Sequence, residues 1–175
     1  MIEVEVKARA PQDMAERIAA LGATLLVVEN HHDIYFNSPQ RDFRFSDEAL
    51  RIRIKEEGAR LTYKGPKLDK TTKSRLERTV KIDDPKQMEQ ILSSLGFALS
   101  AQVRKKRAKY SYEGVIVALD EVEGLGCFVE VEAAGEGDYE EQRRKVLSIM
   151  SKLGLHESIR SSYLELLEEK EKTCQ

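Results

Sequence analysis

Hydrophobic and polar residues alternate from the first residues of the chain, MIEVEVKARA. Ile2, Val4, Val6 and Ala8 fall on one side, and Glu3, Glu5, Lys7 and Arg9 on the other. A period of two marks a β-strand with one face buried. The same signal predicts eight strands, over about 2–9, 32–37, 48–56, 59–65, 74–83, 103–112, 114–121 and 126–134. Apolar residues at helical spacing predict four helices, over about 11–21, 85–95, 138–153 and 159–170. The first three end in Leu-Gly, at 21–22, 95–96 and 153–154, where glycine takes the left-handed conformation that stops a helix.

The order is strand, helix, three strands, then the same again. Shifting the chain by 74 positions pairs Glu3 with Glu77, Lys7 with Lys81, Pro11 with Pro85 and Leu21-Gly22 with Leu95-Gly96, among eight identities between residues 3 and 25. Two similar strand-to-helix joints explain this, or an internal duplication does. Either way, the expectation is an α+β fold of two similar βαβββ halves, an antiparallel sheet with helices outside.

The charged faces change that picture. Arg51, Arg53 and Lys55 oppose Leu50, Ile52 and Ile54; Thr62 and Lys64 oppose Leu61 and Tyr63; Arg75, Glu77, Thr79 and Lys81 share a side. Lys105, Arg107 and Lys109 share another, and Glu130 and Glu132 oppose Val129 and Val131. For one strand, the simple account is a charged side in water. Across six strands acids and bases segregate: acid pairs on the first and last, bases on the middle ones. Like charges side by side are unfavourable without a ligand. A sheet closed into an eight-stranded antiparallel barrel removes the difficulty, because its charged faces converge on a lumen wide enough for one small ligand. Burying so much charge then requires pairing or a polyvalent ligand.

Composition narrows the class. The chain has 175 residues, 41% hydrophobic and 34% charged, with a net charge of −2. It fits a single domain over 1–175, with no basic excess to suggest nucleic acid and no run long enough for a membrane. Glu3 argues against a signal peptide, and Cys127 and Cys174 lack metal-ligand spacing, so free thiols in a reducing cytoplasm are expected. His31 and His32 are adjacent, point apart on a strand, and are expected at the surface.

The motifs together resemble one family. Glu3-x-Glu5-x-Lys7, Leu50-Arg51-Ile52-Arg53, Thr62-Tyr63-Lys64-Gly65-Pro66, Arg75-x-Glu77, Lys105-x-Arg107 and the run from Asp120 to Glu132 follow one another in the order of the CYTH domain, the triphosphate tunnel metalloenzyme fold. Ser162-Tyr163 and Leu166-Leu167 resemble its closing helix, so the resemblance spans residues 2 to about 167. His32-Asp33-Ile34-Tyr35-Phe36, Arg41-Asp42-Phe43 and Asp47-Glu48-Ala49-Leu50-Arg51 look like the class IV adenylyl cyclase branch, related to the thiamine and inorganic triphosphatases.

Glu3 and Glu5, facing Glu130 and Glu132, would hold one or two divalent ions, Mg2+ or Mn2+, and the resemblance adds Asp120. Lys7, Arg51, Arg53, Lys64, Lys105 and Arg107 would bind the phosphates. A one-residue slip in Arg104-Lys105-Lys106-Arg107 would exchange its inward pair. Five acids against six bases leave +1, so metal is needed to balance the ~4 negative charges of a triphosphate. Two reactions fit. One turns ATP into 3′,5′-cyclic AMP and pyrophosphate; the other hydrolyses thiamine triphosphate or tripolyphosphate, with Tyr35 or Lys64 as catalytic residues by analogy with related triphosphatases. A non-catalytic nucleotide or polyphosphate sensor is a third reading. Arg75 and Glu77 are expected to pair with each other or orient neighbours, and the last helix to pack on the barrel or on a second copy of the chain.

Overall fold

Nine strand segments and four helices build the fold of the computed structural model, which describes residues 2–68, 74–135 and 137–173, with residues 2 and 3 through their backbone. They run β1 Ile2–Glu3, β2 Glu5–Arg9, α1 Met14–Ala20, β3 Thr24–Asn37, β4 Ala49–Lys55, β5 Gly58–Lys67, β6 Arg75–Ile82, α2 Pro85–Ser94, β7 Ala98–Tyr112, β8 Val115–Val122, β9 Gly126–Ala133, α3 Tyr139–Lys152 and α4 Tyr163–Thr173.

All pairings are antiparallel, in the order β1-β6-β5-β4-β3-β7-β8-β9-β2. The two ends of that order belong to one segment. β1 pairs with β6, β2 pairs with β9, and only Val4 separates them, its carbonyl accepting from the Ala133 N–H at 2.9 Å. The first strand therefore closes the barrel through a narrow seam, and the eight expected strands become nine segments. The βαβββ order occurs twice. Where the halves meet, His31 faces Lys105 and Ile2 faces Leu76, both pairs 74 positions apart. Equivalent positions face each other where a twofold axis crosses a barrel wall, so a pseudo-twofold relates the halves, as an internal duplication requires.

β3 and β7 are longer than the alternation predicts. β3 begins at Thr24, not 32, because Leu25, Leu26, Val27 and Val28 form an unbroken apolar run that carries no period. α4 begins at Tyr163, not 159, behind a reciprocal cap. The Glu165 N–H donates to Ser162 Oγ at 3.1 Å, and Glu165 accepts from the Ser162 N–H.

Outward apolar faces carry the helices. α1 and α3 cover Val6, Val115, Val117, Val129 and Val131, while Leu92 of α2 joins Ile34, Phe36 and Ile52. At one end the inward face also turns apolar. There Tyr35, Val103, Val122 and Phe128 pack under Tyr163 of α4, which plugs the barrel. No described helix is long and apolar enough to cross a membrane.

Candidate functional site

Strand parity brings the charged side chains together inside the barrel. A cavity of about 270 Å³ is lined by Glu5, Tyr35, Arg51, Arg53, Lys64, Lys105, Arg107, Glu130 and Glu132 of the expected set. The slip question on β7 has an answer: Lys105 and Arg107 are buried, Arg104 and Lys106 exposed.

Its bases are held by acids. Asp33, 1% exposed, accepts from Arg53 Nε and Nη2 at 2.7 and 2.6 Å, and from Arg51 Nη1 at 3.5 Å. Burial alone would raise its pKa; Arg51 and Arg53 outweigh that and hold it far below the usual range. Asp120 accepts from Lys105 Nζ at 2.9 Å, Arg107 Nε at 2.6 Å and the Tyr163 hydroxyl at 2.8 Å. Arg107 also reaches Glu130, and Lys64 binds Glu77. Burial, aided by Arg107, pulls Lys105 down to about 7. Tyr35 lines the cavity beside Arg51, its ladder partner on β4. A polyanion entering this cavity must exchange with carboxylates already in place, so the tunnel is charged but internally compensated.

Other expected residues lie elsewhere. Lys7 is fully buried outside that lining, bonded to the Ser161 carbonyl with its ammonium 4.2 Å from the Tyr163 ring centroid. It fastens the segment leading into α4. Asp120 is wholly buried, reached from the cavity through Lys105 and Arg107. The Glu3 side chain and Cys174 lie outside the described residues; Glu3 faces Arg75 in the ladder, and Cys127 is an exposed free thiol. Arg75 sits 3.7 Å from Asp47 rather than pairing with Glu77. Asp47, at φ 54°, also accepts from the Lys67 N–H at 2.8 Å, in a left-handed turn that aspartate tolerates.

His31 departs furthest from expectation. Its side chain is 0% exposed, inside the barrel, because it shares β3 parity with Asp33 and Tyr35. Adjacency to His32 means only that one of the two faces inward. Burial, then Arg53, push its pKa down to about 3. Below the ordinary value of ~6.5 the unfolded chain takes a proton that the folded chain refuses, so stability falls by up to ~1.4 kcal/mol per pH unit toward pH ~5. Urea melts across that interval show the slope in the native chain; in His31→Asn it disappears.

The donor set suits a hard divalent cation. Glu5 and Glu132 face each other directly across β2 and β9 and both line the cavity, an arrangement of like charges that a cation relieves. Mg2+ typically takes one or two carboxylates and completes its shell with water and phosphate oxygens. Among the described residues no group of three acid, histidine or cysteine side chains converges on one point.

The CYTH domain profile matches residues 1–163. The chain belongs to the CYTH family. A Methanocaldococcus jannaschii protein whose name proposes an adenylate cyclase is 41% identical over 172 residues, covering 95% of this chain and 98% of that one. A Pyrococcus horikoshii protein of known structure is 44% identical with a TM-score of 0.89, over 96% of this CYTH chain and 99% of that one. A Hippeastrum protein, whose name proposes an adenylyl cyclase and whose description gives it a dominant triphosphatase activity, shares the fold at a TM-score of 0.71 and 23% identity, over 97% and 95% of the two chains.

Proposed function

We propose that this CYTH protein is a divalent-metal-dependent enzyme that converts ATP to 3′,5′-cyclic AMP and pyrophosphate in its tunnel. The observation that carries this reading is the meeting of Arg51, Arg53, Lys105 and Arg107, from two strands, with the facing carboxylates Glu5 and Glu132 in one cavity. The four bases grip the β- and γ-phosphates, which leave as pyrophosphate when the ribose 3′-hydroxyl attacks the α-phosphorus. Glu5 and Glu132 would hold the metal, with Glu130 bound to Arg107, Asp120 behind Lys105 and Arg107, and Glu3 beside the seam. When bound, the ion lowers the pKa of the attacking hydroxyl and steadies the leaving group. Tyr35, opposite Arg51 in the ladder, and Lys64, held by Glu77, would orient the reacting end.

A side chamber supports an organic triphosphate. A second cavity of about 250 Å³ shares Tyr35, Phe43 and Leu164 with the tunnel and adds Phe36, Leu99 and Ser100. Arg44, Glu48 and Glu168 also stand at its wall, and the aromatic and aliphatic remainder suits a planar base better than a further phosphate. Ser100 is exposed at its edge, so Ser100→Trp fills the chamber without disturbing the core. It is expected to raise KM for ATP about tenfold while leaving tripolyphosphate kinetics unchanged.

Hydrolysis of the terminal phosphate is the second reading, favoured by the dominant triphosphatase activity of the Hippeastrum relative. Incubation with ATP, thiamine triphosphate and tripolyphosphate, each with Mg2+ and then Mn2+, separates the readings. Cyclic AMP with pyrophosphate supports the cyclase, and orthophosphate the hydrolase. Metal-dependent binding without turnover would leave a nucleotide or polyphosphate sensor.

A further inference from the structure

The buried imidazole of His31 stands at the pseudo-twofold, opposite Lys105. Its Nε2 lies 2.7 Å from Glu29 Oε2. Burial works against the charge on Glu29, but Lys55 at 2.9 Å, His31 itself and Lys109 at 3.2 Å hold its pKa down at about 2. An ionised carboxylate only accepts, so Nε2 carries the hydrogen and Nδ1 presents a lone pair. That Nδ1 is buried and has no hydrogen-bond partner among the described residues. An orphaned acceptor of this kind is costly in a folded wall and asks for a function.

The groups around it explain why it stays neutral. Glu29 and Asp33 flank it on β3, Arg53 and Lys55 come from β4, and Lys105, Arg107 and Lys109 from β7. Asp120 and Glu130 lie behind Lys105 and Arg107. Arg53, Lys105 and Arg107 oppose a charge on the imidazole. Those three are the cations on which, in the reading above, the triphosphate settles. A ligand bringing ~4 negative charges reverses the potential they impose.

We propose that His31 is a positioning residue charged by the substrate itself: Nδ1 takes up one proton from solvent when a triphosphate occupies Arg53, Lys105 and Arg107. The imidazolium keeps its Nε2–H on Glu29 and gains an N–H at Nδ1, so the orphaned acceptor becomes a donor and the tunnel gains a positive charge only when filled. The linkage has a fixed sign. Between the pKa of the free tunnel and the higher pKa of the complex, binding takes up a proton, and affinity rises up to about tenfold for each unit by which pH falls. Above the complex pKa this residue adds no pH dependence. The inference rests on triphosphate binding in the tunnel.

The chain contains three histidines, so 15N spectra of histidine-labelled full-length protein are readily assigned with His32→Asn and His156→Asn. The probe is inorganic tripolyphosphate without metal at about pH 6, where a free histidine is poised to titrate. His31 is expected to pass from the neutral Nε2–H tautomer to the doubly protonated form on saturation. Calorimetry in buffers of different ionisation enthalpy is expected to show the native chain taking up about one proton more than His31→Asn; protons lost by the ligand cancel in that difference. A saturated complex with His31 still neutral overturns the inference and leaves triphosphate binding intact. Absence of binding overturns both. The native spectrum decides the matter even where His31→Asn fails to fold.

Discussion

Replacing Asp33 by asparagine is expected to lower the stability of the fold by about 3–5 kcal/mol, the usual cost of removing one partner from a buried ion pair. The carboxylate is 1% exposed and holds Arg53 through two bonds and Arg51 through a third. Without it two guanidiniums remain in the barrel wall beside Lys105, and Glu29, the other acid of β3, is engaged by Lys55, Lys109 and His31. The native pKa of Asp33 is depressed, so its contribution is complete above the unfolded value of ~3.9 and is lost only as pH falls well below it. Urea unfolding near neutral pH therefore reads the whole effect. Tripolyphosphate should restore more stability to the variant than it adds to the native chain, because its oxygens replace the missing carboxylate. A loss below ~1 kcal/mol would show that the arginines reach solvent or other anions and are not committed to the tunnel.

Glu5→Gln is expected to abolish most turnover, by about a hundredfold or more, while leaving the fold intact. Glu5 faces Glu132 across the ladder that closes the barrel, and glutamine keeps the shape of that wall while removing one carboxylate. Metal affinity should weaken in parallel: more Mg2+ or Mn2+ to reach half-maximal rate, with thermal unfolding of the apo chain little changed. Turnover equal to the native rate would remove Glu5 from the metal set. Loss of both turnover and fold would assign it to the wall.

Much of this architecture is legible in the chain because a strand states its inward face by parity. Alternation in Glu3–Arg9, Leu50–Lys55 and Val129–Glu132 separates the two faces, and their segregated charges make sense only when the sheet closes. Parity fails where the pattern lacks period. Leu25–Val28 hides the first half of β3, and with it Glu29 and the inward side of His31. Asp33 sits among Ile34, Tyr35 and Phe36 as a lone acid, and nothing local announces that it will meet two arginines of the next strand. The plug is half visible. Ser162-Tyr163 and Leu166-Leu167 announce a closing helix, but the descent of Tyr163 onto Asp120, and the diversion of Lys7 to the Ser161 carbonyl, depend on the inward face turning apolar at Val103, Val122 and Phe128. Those three come from β7, β8 and β9 and meet only once these neighbouring strands pair.

The most direct measurement is a crystal structure with Mn2+ and a non-reactive ATP analogue, read by anomalous scattering from manganese and by the density of the phosphate chain. The account predicts a manganese peak between Glu5 and Glu132, phosphates against Arg51, Arg53, Lys105 and Arg107, and the base beside Phe43 and Leu99. Phosphates bound on the outer surface, with Asp33 and Asp120 still clasping their cations around an empty tunnel, would contradict it.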